Sequence, residues 1–177
     1  MDKQSDTYLI SKVVMYNDQK AFARLVERHQ HGIRQLLLKL TAGDRFRADD
    51  LAQETFLKAY HHLRSFQAKA KFSTWLHRIA WRNFLDAEKK RRDHQDVDEM
   101  EWAAGSYETE TQLHAQMDAD SLMQLLRPEE KAALFLSYGR GLPHTEIAEV
   151  MDCPLGTVKT YIKRGRERIR KYVNVES

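Results

Sequence analysis

The sequence predicts an all-α protein, built as two small helical domains joined by an acidic linker. Apolar residues recur every three or four positions over most of the 177 residues, and no long stretch alternates as a β-strand does. Glycine and proline are scarce, with 7 and 3 residues, which favours helices over a turn-rich β fold. Charge divides the chain, because residues 1–92 carry a net +9, residues 93–120 a net −9 and residues 121–177 a net +3. These blocks are the predicted N-terminal domain, linker and C-terminal domain.

Three helices are predicted in the N-terminal domain. The first spans Asp18 to Leu40 and has a continuous apolar face. The second spans about Ala48 to Leu63, with Asp49 or Asp50 near its N-terminal end, where a carboxylate is favoured. The third spans about Ser73 to Arg91, is rich in aromatic residues and ends in a run of lysine and arginine. Cations at that position suit the C-terminal end of a helix.

The acidic linker separates these helices from a second helical set. Residues 93–110 have no apolar period, and a helix is predicted to resume between Thr109 and Leu126. Another helix is predicted from Pro128 to Tyr138, because proline is favoured at the first helical position. Residues 121–177 therefore form a compact C-terminal domain.

The end of the chain predicts a helix-turn-helix. A short helix opens at Leu142-Pro143, Asp152-Cys153 form the turn, and a long helix follows Pro154 with apolar residues on one face and cations on the other. A solvated charged helix is the simpler interpretation, but it leaves the preceding helix and turn unexplained. In this motif the N-terminal half of the second helix contacts base edges in the major groove. The candidate base readers are Lys159, Thr160, Tyr161 and Lys163, and the candidate phosphate ligands are Arg164, Arg166, Arg168, Arg170 and Lys171.

Two further constellations leave alternatives open. Residues 66–92 interleave aromatic side chains with cations, a pattern that suits single-stranded nucleic acid but also an ordinary core. Asp50 and Glu54 lie one helical turn apart and could bind a metal or perform acid-base chemistry, but a second set of ligands is lacking. An acidic face offered to a basic partner is the alternative. The histidines match no metal-ligand spacing, so neither metal nor cofactor is expected.

Composition excludes several classes of protein. Cys153 is the only cysteine, so neither an intrachain disulfide nor a multi-thiolate metal site is possible. No apolar run approaches the length of a membrane span, and the N-terminus lacks the core of a signal peptide. A cytoplasmic protein without membrane insertion is expected.

Three segments, in this order and spacing, resemble the extracytoplasmic-function group of bacterial sigma factors. Residues 50–60, Asp-Leu-Ala-Gln-Glu-Thr-Phe-Leu-Lys-Ala-Tyr, are similar to the helix that docks on the clamp coiled coil of RNA polymerase. Residues 66–92, centred on Lys-Phe-Ser-Thr-Trp-Leu-His-Arg-Ile-Ala, resemble the element that melts and reads the −10 promoter region. Residues 126–169, including Gly156-Thr-Val-Lys159, resemble the domain that reads the −35 region. Pro143 departs from the pattern, since the family often has a capping serine there.

The resemblance implies a non-enzymatic initiation factor and assigns residues to its contacts. The implied contacts with core polymerase are Asp50, Leu51, Gln53, Glu54 and Phe56. The implied contacts with −10 DNA are Phe66, Lys69, Lys71, Ser73, Thr74, Trp75, Arg78 and Asn83, with Trp75 open between stacking and core. The implied contacts with −35 DNA are Thr157, Lys159, Thr160, Tyr161, Lys163, Arg164 and Arg166.

The implied partners are core RNA polymerase, promoter DNA that is duplex at −35 and melted at −10, and an anti-sigma factor. Two alternatives come from other classes of protein. One is a helix-turn-helix regulator that binds duplex DNA without polymerase, and the other is a helical carboxylate metalloenzyme.

Overall fold

The computed structural model describes residues 5–98 and 119–175, and within them the side chains of residues 5–93 and 122–173. The described residues form helices and no β-strand, which confirms the all-α prediction. The helices are α1 (Asp6–Tyr16), α2 (Gln19–Leu40), α3 (Arg45–His62), α4 (Phe72–Asp98), α5 (Ala119–Gln124), α6 (Pro128–Leu134), α7 (His144–Met151) and α8 (Leu155–Val175). A 3-10 turn at Leu63–Ser65 follows α3, and a π-helical turn at Phe135–Gly139 extends α6.

Aspartate side chains fix the starts of α2 and α3. Asp18 accepts a hydrogen bond from the backbone N–H of Ala21, as the predicted start of α2 requires. Asp44 accepts one from the N–H of Arg47, so α3 begins three residues before the predicted Ala48. The expectation that Asp49 or Asp50 lies near the N-terminal end is therefore wrong. The capping aspartate is Asp44, in the loop between α2 and α3.

Helix α1 has no counterpart in the sequence-based prediction. Ser5 caps it by accepting from the N–H of Tyr8, and Leu9, Ile10 and Val13 are buried against the rest of the N-terminal half. Asp6 ties α1 to α2 through an ion pair with Arg28 and a 2.9 Å contact with His29. The missed helix completes the N-terminal core and brings a carboxylate close to α4.

Helix α4 runs beyond its predicted end near Arg91 and continues to Asp98. No glycine or proline interrupts residues 92–98, and a cationic run favours a helix end without imposing one. The first residues of the predicted linker are therefore helical. Of the helix predicted between Thr109 and Leu126, residues 119–124 are helical, and residues 109–118 lie outside the described range. The boundaries at residues 92 and 120 stay predictions.

The helix-turn-helix is present with small shifts. Pro128 opens α6 as predicted, Asp152 turns the chain between α7 and α8 with a positive φ of 53°, and Pro154 directly precedes the first residue of α8. Val158 and Ile162 are buried, and a Cβ on Gly165 would lie 2.7 Å from Leu134 Cδ1. Glycine at this position lets α8 lie close to α6 without displacing the Leu134 side chain.

The two halves of the molecule touch. Helix α4 packs against α7, and α2 packs against α6. The guanidinium of Arg140 lies over α2, where a Cβ on Gly32 would be 2.8 Å from Nη2. This contact between the halves places the turn of the helix-turn-helix beside α4.

Glu130 holds the C-terminal half together, and its removal should destabilise that half. Its side chain is almost fully buried and accepts from the Arg127 backbone N–H at 3.1 Å and from Arg168 Nε at 3.2 Å. We expect Glu130→Ala to lower the free energy of unfolding by about 1–2 kcal/mol, because two donors lose their acceptor. Urea unfolding followed by circular dichroism measures this. Glu129→Ala, at the more exposed neighbour, is the control, and equal loss in both variants would contradict the role of Glu130.

His77 should make stability fall in mild acid. It is 3% exposed; its Nδ1–H donates to the Ser73 carbonyl at 2.6 Å, and Nε2 is buried without a partner among the described residues. Burial lowers the pKa of His77 to about 4. Since the unfolded chain then binds the proton more readily, stability is complete above pH 6.5 and is lost towards pH 4. Melting temperatures across this range should fall less steeply for His77→Phe than for the wild type, and parallel profiles would contradict the assignment.

Candidate nucleic-acid interface

A tight loop with an aromatic cluster precedes α4. Residues 66–71 connect the 3-10 turn to α4, and Ala68 adopts a positive φ of 53°, which is uncommon for a residue other than glycine. The ring of Phe66 lies 5.6 Å from that of Phe72 and 5.3 Å from that of Trp75. Phe72 is buried, whereas Phe66 and Trp75 are half-buried. Trp75 thus belongs to the core cluster and keeps part of its surface accessible.

The loop forms one wall of a cavity of about 550 Å³. Lys69 and Lys71 contribute cations to this wall, and Asp6 and Ile10 of α1 form another. Glu146 and Glu149 of α7 form the third wall. The cavity therefore brings together aromatic, cationic and acidic groups from three parts of the chain.

Cations of α4 and of the loop before it contact carboxylates of the C-terminal half. Lys71 Nζ lies 3.0 Å from Glu146 Oε1, while Arg78 and Arg82 lie 3.3 and 2.8 Å from the two oxygens of Asp152. Hydrogen bonds from Lys71 and Arg82 hold the pKa values of Glu146 and Asp152 below their ordinary range. Both carboxylates are therefore charged at neutral pH.

Besides Lys71 and Arg78, three more of the predicted −10 residues have partners within the protein. The Asn83 side chain is buried; it donates to Thr55 Oγ1 at 3.1 Å and accepts from Lys58 Nζ at 2.6 Å, so it fastens α3 to α4. Thr74 is buried and donates to Glu146 Oε2 at 3.0 Å. Ser73 is half-buried, and its carbonyl accepts from His77. Asn83 therefore supports the surface of α4 from behind.

The candidate −35 residues form the outer side of α8. Tyr161 and Thr157 are half-buried, and Thr160 donates to its own helix at the Gly156 carbonyl, 2.9 Å away. Lys163 lies 3.9 Å from Glu167, a loose pair between exposed side chains. The exposed members of the predicted set are Lys159, Thr160, Lys163, Arg164 and Arg166. Arg168, a candidate phosphate ligand, instead pairs with Glu130 and holds α6 to α8.

Helices α2 and α3 enclose an apolar groove of about 670 Å³. Asp50, Gln53 and Glu54 are exposed on α3, Phe56 is half-buried in the groove, and Leu51 is buried behind it. The other apolar residues that line the groove are Phe22, Val26, Ala52, Leu57 and Tyr60. The acidic and polar face expected from the sequence thus borders a hydrophobic surface.

Arg34 and Asp49 form an ion pair at the rim of this groove, which sequence reasoning missed. Their hydrogen bond raises the pKa of the guanidinium and lowers that of the carboxyl. The two residues lie on different helices, and no periodicity of one helix signals such a contact. The described residues contain no group of three or more His, Cys, Asp or Glu side chains that could hold a metal, and none of their helices is long and apolar enough to cross a membrane.

Known proteins with similar sequences identify the family. The sequence model of Sigma-70 region 2 matches residues 25–94, and that of Sigma-70 region 4 matches residues 116–169. The ECF RNA polymerase sigma-E factor of Escherichia coli K12 is 37% identical over 186 residues, covering 96% of this chain and 95% of the relative. The chain belongs to the ECF sigma factors of RNA polymerase. The sigma-E factor of Haemophilus influenzae is 34% identical over 188 residues, covering 97% of each protein.

Solved structures share the fold of this sigma factor. The sigma factor RpoE in complex with the anti-sigma factor NepR from Bartonella quintana matches with a TM-score of 0.70 at 23% identity, covering 89% of this chain and 99% of that one. CnrH in complex with the cytosolic domain of CnrY matches with a TM-score of 0.70 at 22% identity, covering 98% and 100%. The prediction of a sigma factor that directs transcription initiation is confirmed, and an independent helix-turn-helix regulator is not favoured.

Proposed function

We propose that this sigma factor binds core RNA polymerase through α3 and directs it to a promoter whose −35 element is read by α8 and whose −10 element is opened by α4. One observation most strongly supports the assignment of the two promoter elements to separate helices. The chain combines an exposed cationic recognition helix with a separate cavity, which the aromatic and lysine side chains of the loop before α4 help to line. A regulator of duplex DNA needs only the first of these surfaces.

The docking surface for core polymerase is the groove between α2 and α3 with its acidic rim. Asp50, Gln53 and Glu54 are exposed beside it, and Phe56 lines it. Interfaces commonly join a buried apolar centre to a charged rim, and the rim governs orientation and association rate. Leu51 is buried, and its part in this surface is to hold α3 in place.

The −10 surface comprises the loop of residues 66–71 and the cationic side of α4. Half-buried Phe66 and Trp75 offer ring surface to an unpaired base, and Lys69, Lys71 and Arg78 supply charge for the DNA backbone. The residues that support these contacts from within the fold are Ser73, Thr74 and Asn83. Strand opening is driven by capture of unpaired bases, without catalysis by the sigma factor itself.

The −35 surface is the outer side of α8. Lys159, Thr160 and Lys163 are exposed in its N-terminal half, and Tyr161 lies beside them. This is the part of a recognition helix that reaches base edges in the major groove. Arg164 and Arg166 follow, exposed and placed for phosphate contacts, and Thr157 supports the start of the helix.

An anti-sigma protein is the further partner proposed, acting in the cytoplasm where the polymerase is found. Of the solved structures described above, one contains a sigma factor bound to an anti-sigma factor, and the other contains CnrH bound to the cytosolic domain of CnrY. Co-purification of a tagged chain from its own cells would reveal such a partner.

Transcription of fragmented genomic DNA tests the proposed function. Core polymerase is incubated with fragments of the source genome, with and without the sigma factor, and the 5′ ends of the transcripts are mapped. We expect start sites that appear only with the sigma factor and share two upstream sequence elements at a constant spacing. Transcripts that are identical with and without the protein would overturn the proposal.

A further inference from the structure

We propose that α7 and the turn after it form an acidic lid that closes the −10 surface of the free protein. The lid consists of Glu146 on α7 and Asp152 in the turn, and it must leave α4 before single-stranded DNA can bind. This inference rests on the proposed function, because it takes the loop of residues 66–71 and the cationic side of α4 as the −10 surface.

The lid carboxylates contact a single stripe of α4 and the residue just before it. Lys71, Thr74, Arg78 and Arg82 follow one another at intervals of three and four residues, so they lie along one side of the helix. Glu146 accepts from the first two, each at 3.0 Å. Asp152 accepts from the last two, at 3.3 and 2.8 Å. These two carboxylates of the C-terminal half thus accept hydrogen bonds from four successive donors along the stripe.

The lid carboxylates occupy the hydrogen-bond donors that the phosphate oxygens of DNA would need. Arginine and lysine form charge-assisted hydrogen bonds with either kind of anion, so the lid and a DNA strand compete for the same groups. Both carboxylates are ionised at neutral pH, because their cationic partners lower the pKa of each. In the closed form, the cations that a DNA strand would contact are therefore already paired with the lid carboxylates.

The lid also borders the cavity beside the aromatic loop. Glu146 and Glu149 line this cavity together with Lys69 and Lys71. A nucleotide that enters this cavity brings a phosphodiester charge close to two glutamates. Like charges repel, so the closed form disfavours capture of an unpaired base through its charge.

The ion pairs of the lid are largely exposed, whereas Thr74 is buried and Glu146 is 22% exposed. The side chains of Arg82 and Asp152 are 54% and 60% exposed, and that of Lys71 is 72% exposed. Ion pairs this exposed are individually weak and are screened by salt. The packing of α2 against α6 adds to them, and Arg140 lies over α2 at Gly32. Packing of α4 against α7 and of α2 against α6, together with these weak ion pairs, holds the halves closed in the free chain, and a partner that binds one half more tightly can separate them.

Neutralising the lid tests the proposal on the full chain. The lid variant is Glu146→Gln with Asp152→Asn, which keeps both shapes; asparagine also tolerates the positive φ of 53° at residue 152. The control is Asp86→Asn with Glu129→Gln, which removes the same charge at residues that form no ion pair in the described part of the chain. Circular dichroism establishes that both variants keep the helical content of the wild type.

Small-angle scattering measures closure, and fluorescence anisotropy with a labelled oligothymidine strand measures binding. In low salt we expect a larger radius of gyration for the lid variant than for the wild type and the control. We expect the lid variant to bind the strand about three- to tenfold more tightly than the control, because a larger fraction of it is open. Raising the salt concentration should expand the wild type and leave the lid variant unchanged.

An unchanged radius in the lid variant, or equal affinity of the lid and control variants for the strand, would overturn the proposal. A wild type whose radius of gyration does not respond to salt would also overturn it. This measurement needs no variant, so the test stays valid even if the lid variant folds poorly. If the proposed function is wrong, the transcription of genome fragments fails. Scattering is independent of that result, because it reports closure of the chain whether or not the chain initiates transcription.

Discussion

Reversing the charge of Asp50 and Glu54 to lysine is expected to abolish the association of this sigma factor with core RNA polymerase. Both side chains are exposed on α3 beside the apolar groove, so lysine can be placed there without disturbing the core. Glu54 pairs with Lys58 at 2.8 Å, one turn further along the helix, and the exchange turns that pair into a repulsion. The affinity should fall at least about thirtyfold, the effect of breaking a charged interface contact.

Co-purification with tagged core polymerase measures the loss, and a titration followed by anisotropy gives its size. The matched control is Asp86→Lys with Asp93→Lys, which makes the same charge change on exposed residues of α4. The control should bind core polymerase as the wild type does. Retention of the α3 variant on the polymerase, with helical content intact, would contradict the assignment of α3 as the docking helix.

The helices that could be predicted are those whose signals are local. An apolar face at helical spacing located α2, and Pro128 located the start of α6. Helix α1 carries the same kind of signal, with Ser5 as its cap and Leu9, Ile10 and Val13 as its buried face. It is hard to predict because it is only 11 residues long and its apolar residues adjoin one another, so that no single face stands out. The start of α3 was misplaced because three aspartates compete for the cap and only the turn geometry selects Asp44.

The residue types of the candidate site could be predicted from the sequence, whereas the contacts between those residues could not. The sequence nominates Arg78 and Asn83 alike, but only the fold shows that Asn83 lies inside, between Thr55 and Lys58. Arg34 meets Asp49 on the next helix, and Arg82 meets Asp152 in the turn after α7, which lies 70 residues further along the chain. Such pairings depend on how helices cross, which periodicity within a single helix does not specify. The lid likewise follows only from the position of α7 against α4.

Replacing Lys163 with alanine should weaken recognition of the −35 element without impairing the binding of core polymerase. Lys163 is exposed in the N-terminal half of α8, and Glu167 lies 3.9 Å from it, too far for a firm hydrogen bond. Its ammonium is therefore available to an acceptor on a base edge. A base contact of this kind contributes about 1–3 kcal/mol, so affinity for the matched element should fall about ten- to hundredfold.

The comparison with Arg164→Ala separates a base contact from a phosphate contact. Both residues are exposed cations of α8, so each variant removes one positive charge from the same helix. Binding of the holoenzyme is measured on a promoter taken from the mapped start sites and on the same promoter with a scrambled −35 element. Lys163→Ala should reduce the preference for the matched promoter, because the lost contact was specific to sequence. Arg164→Ala should weaken both promoters alike and reduce the slope of affinity against salt by about one ion. If Lys163→Ala lowers binding to the two promoters equally, Lys163 contacts phosphate, and the base-reading part of α8 must be sought at Lys159 and Thr160.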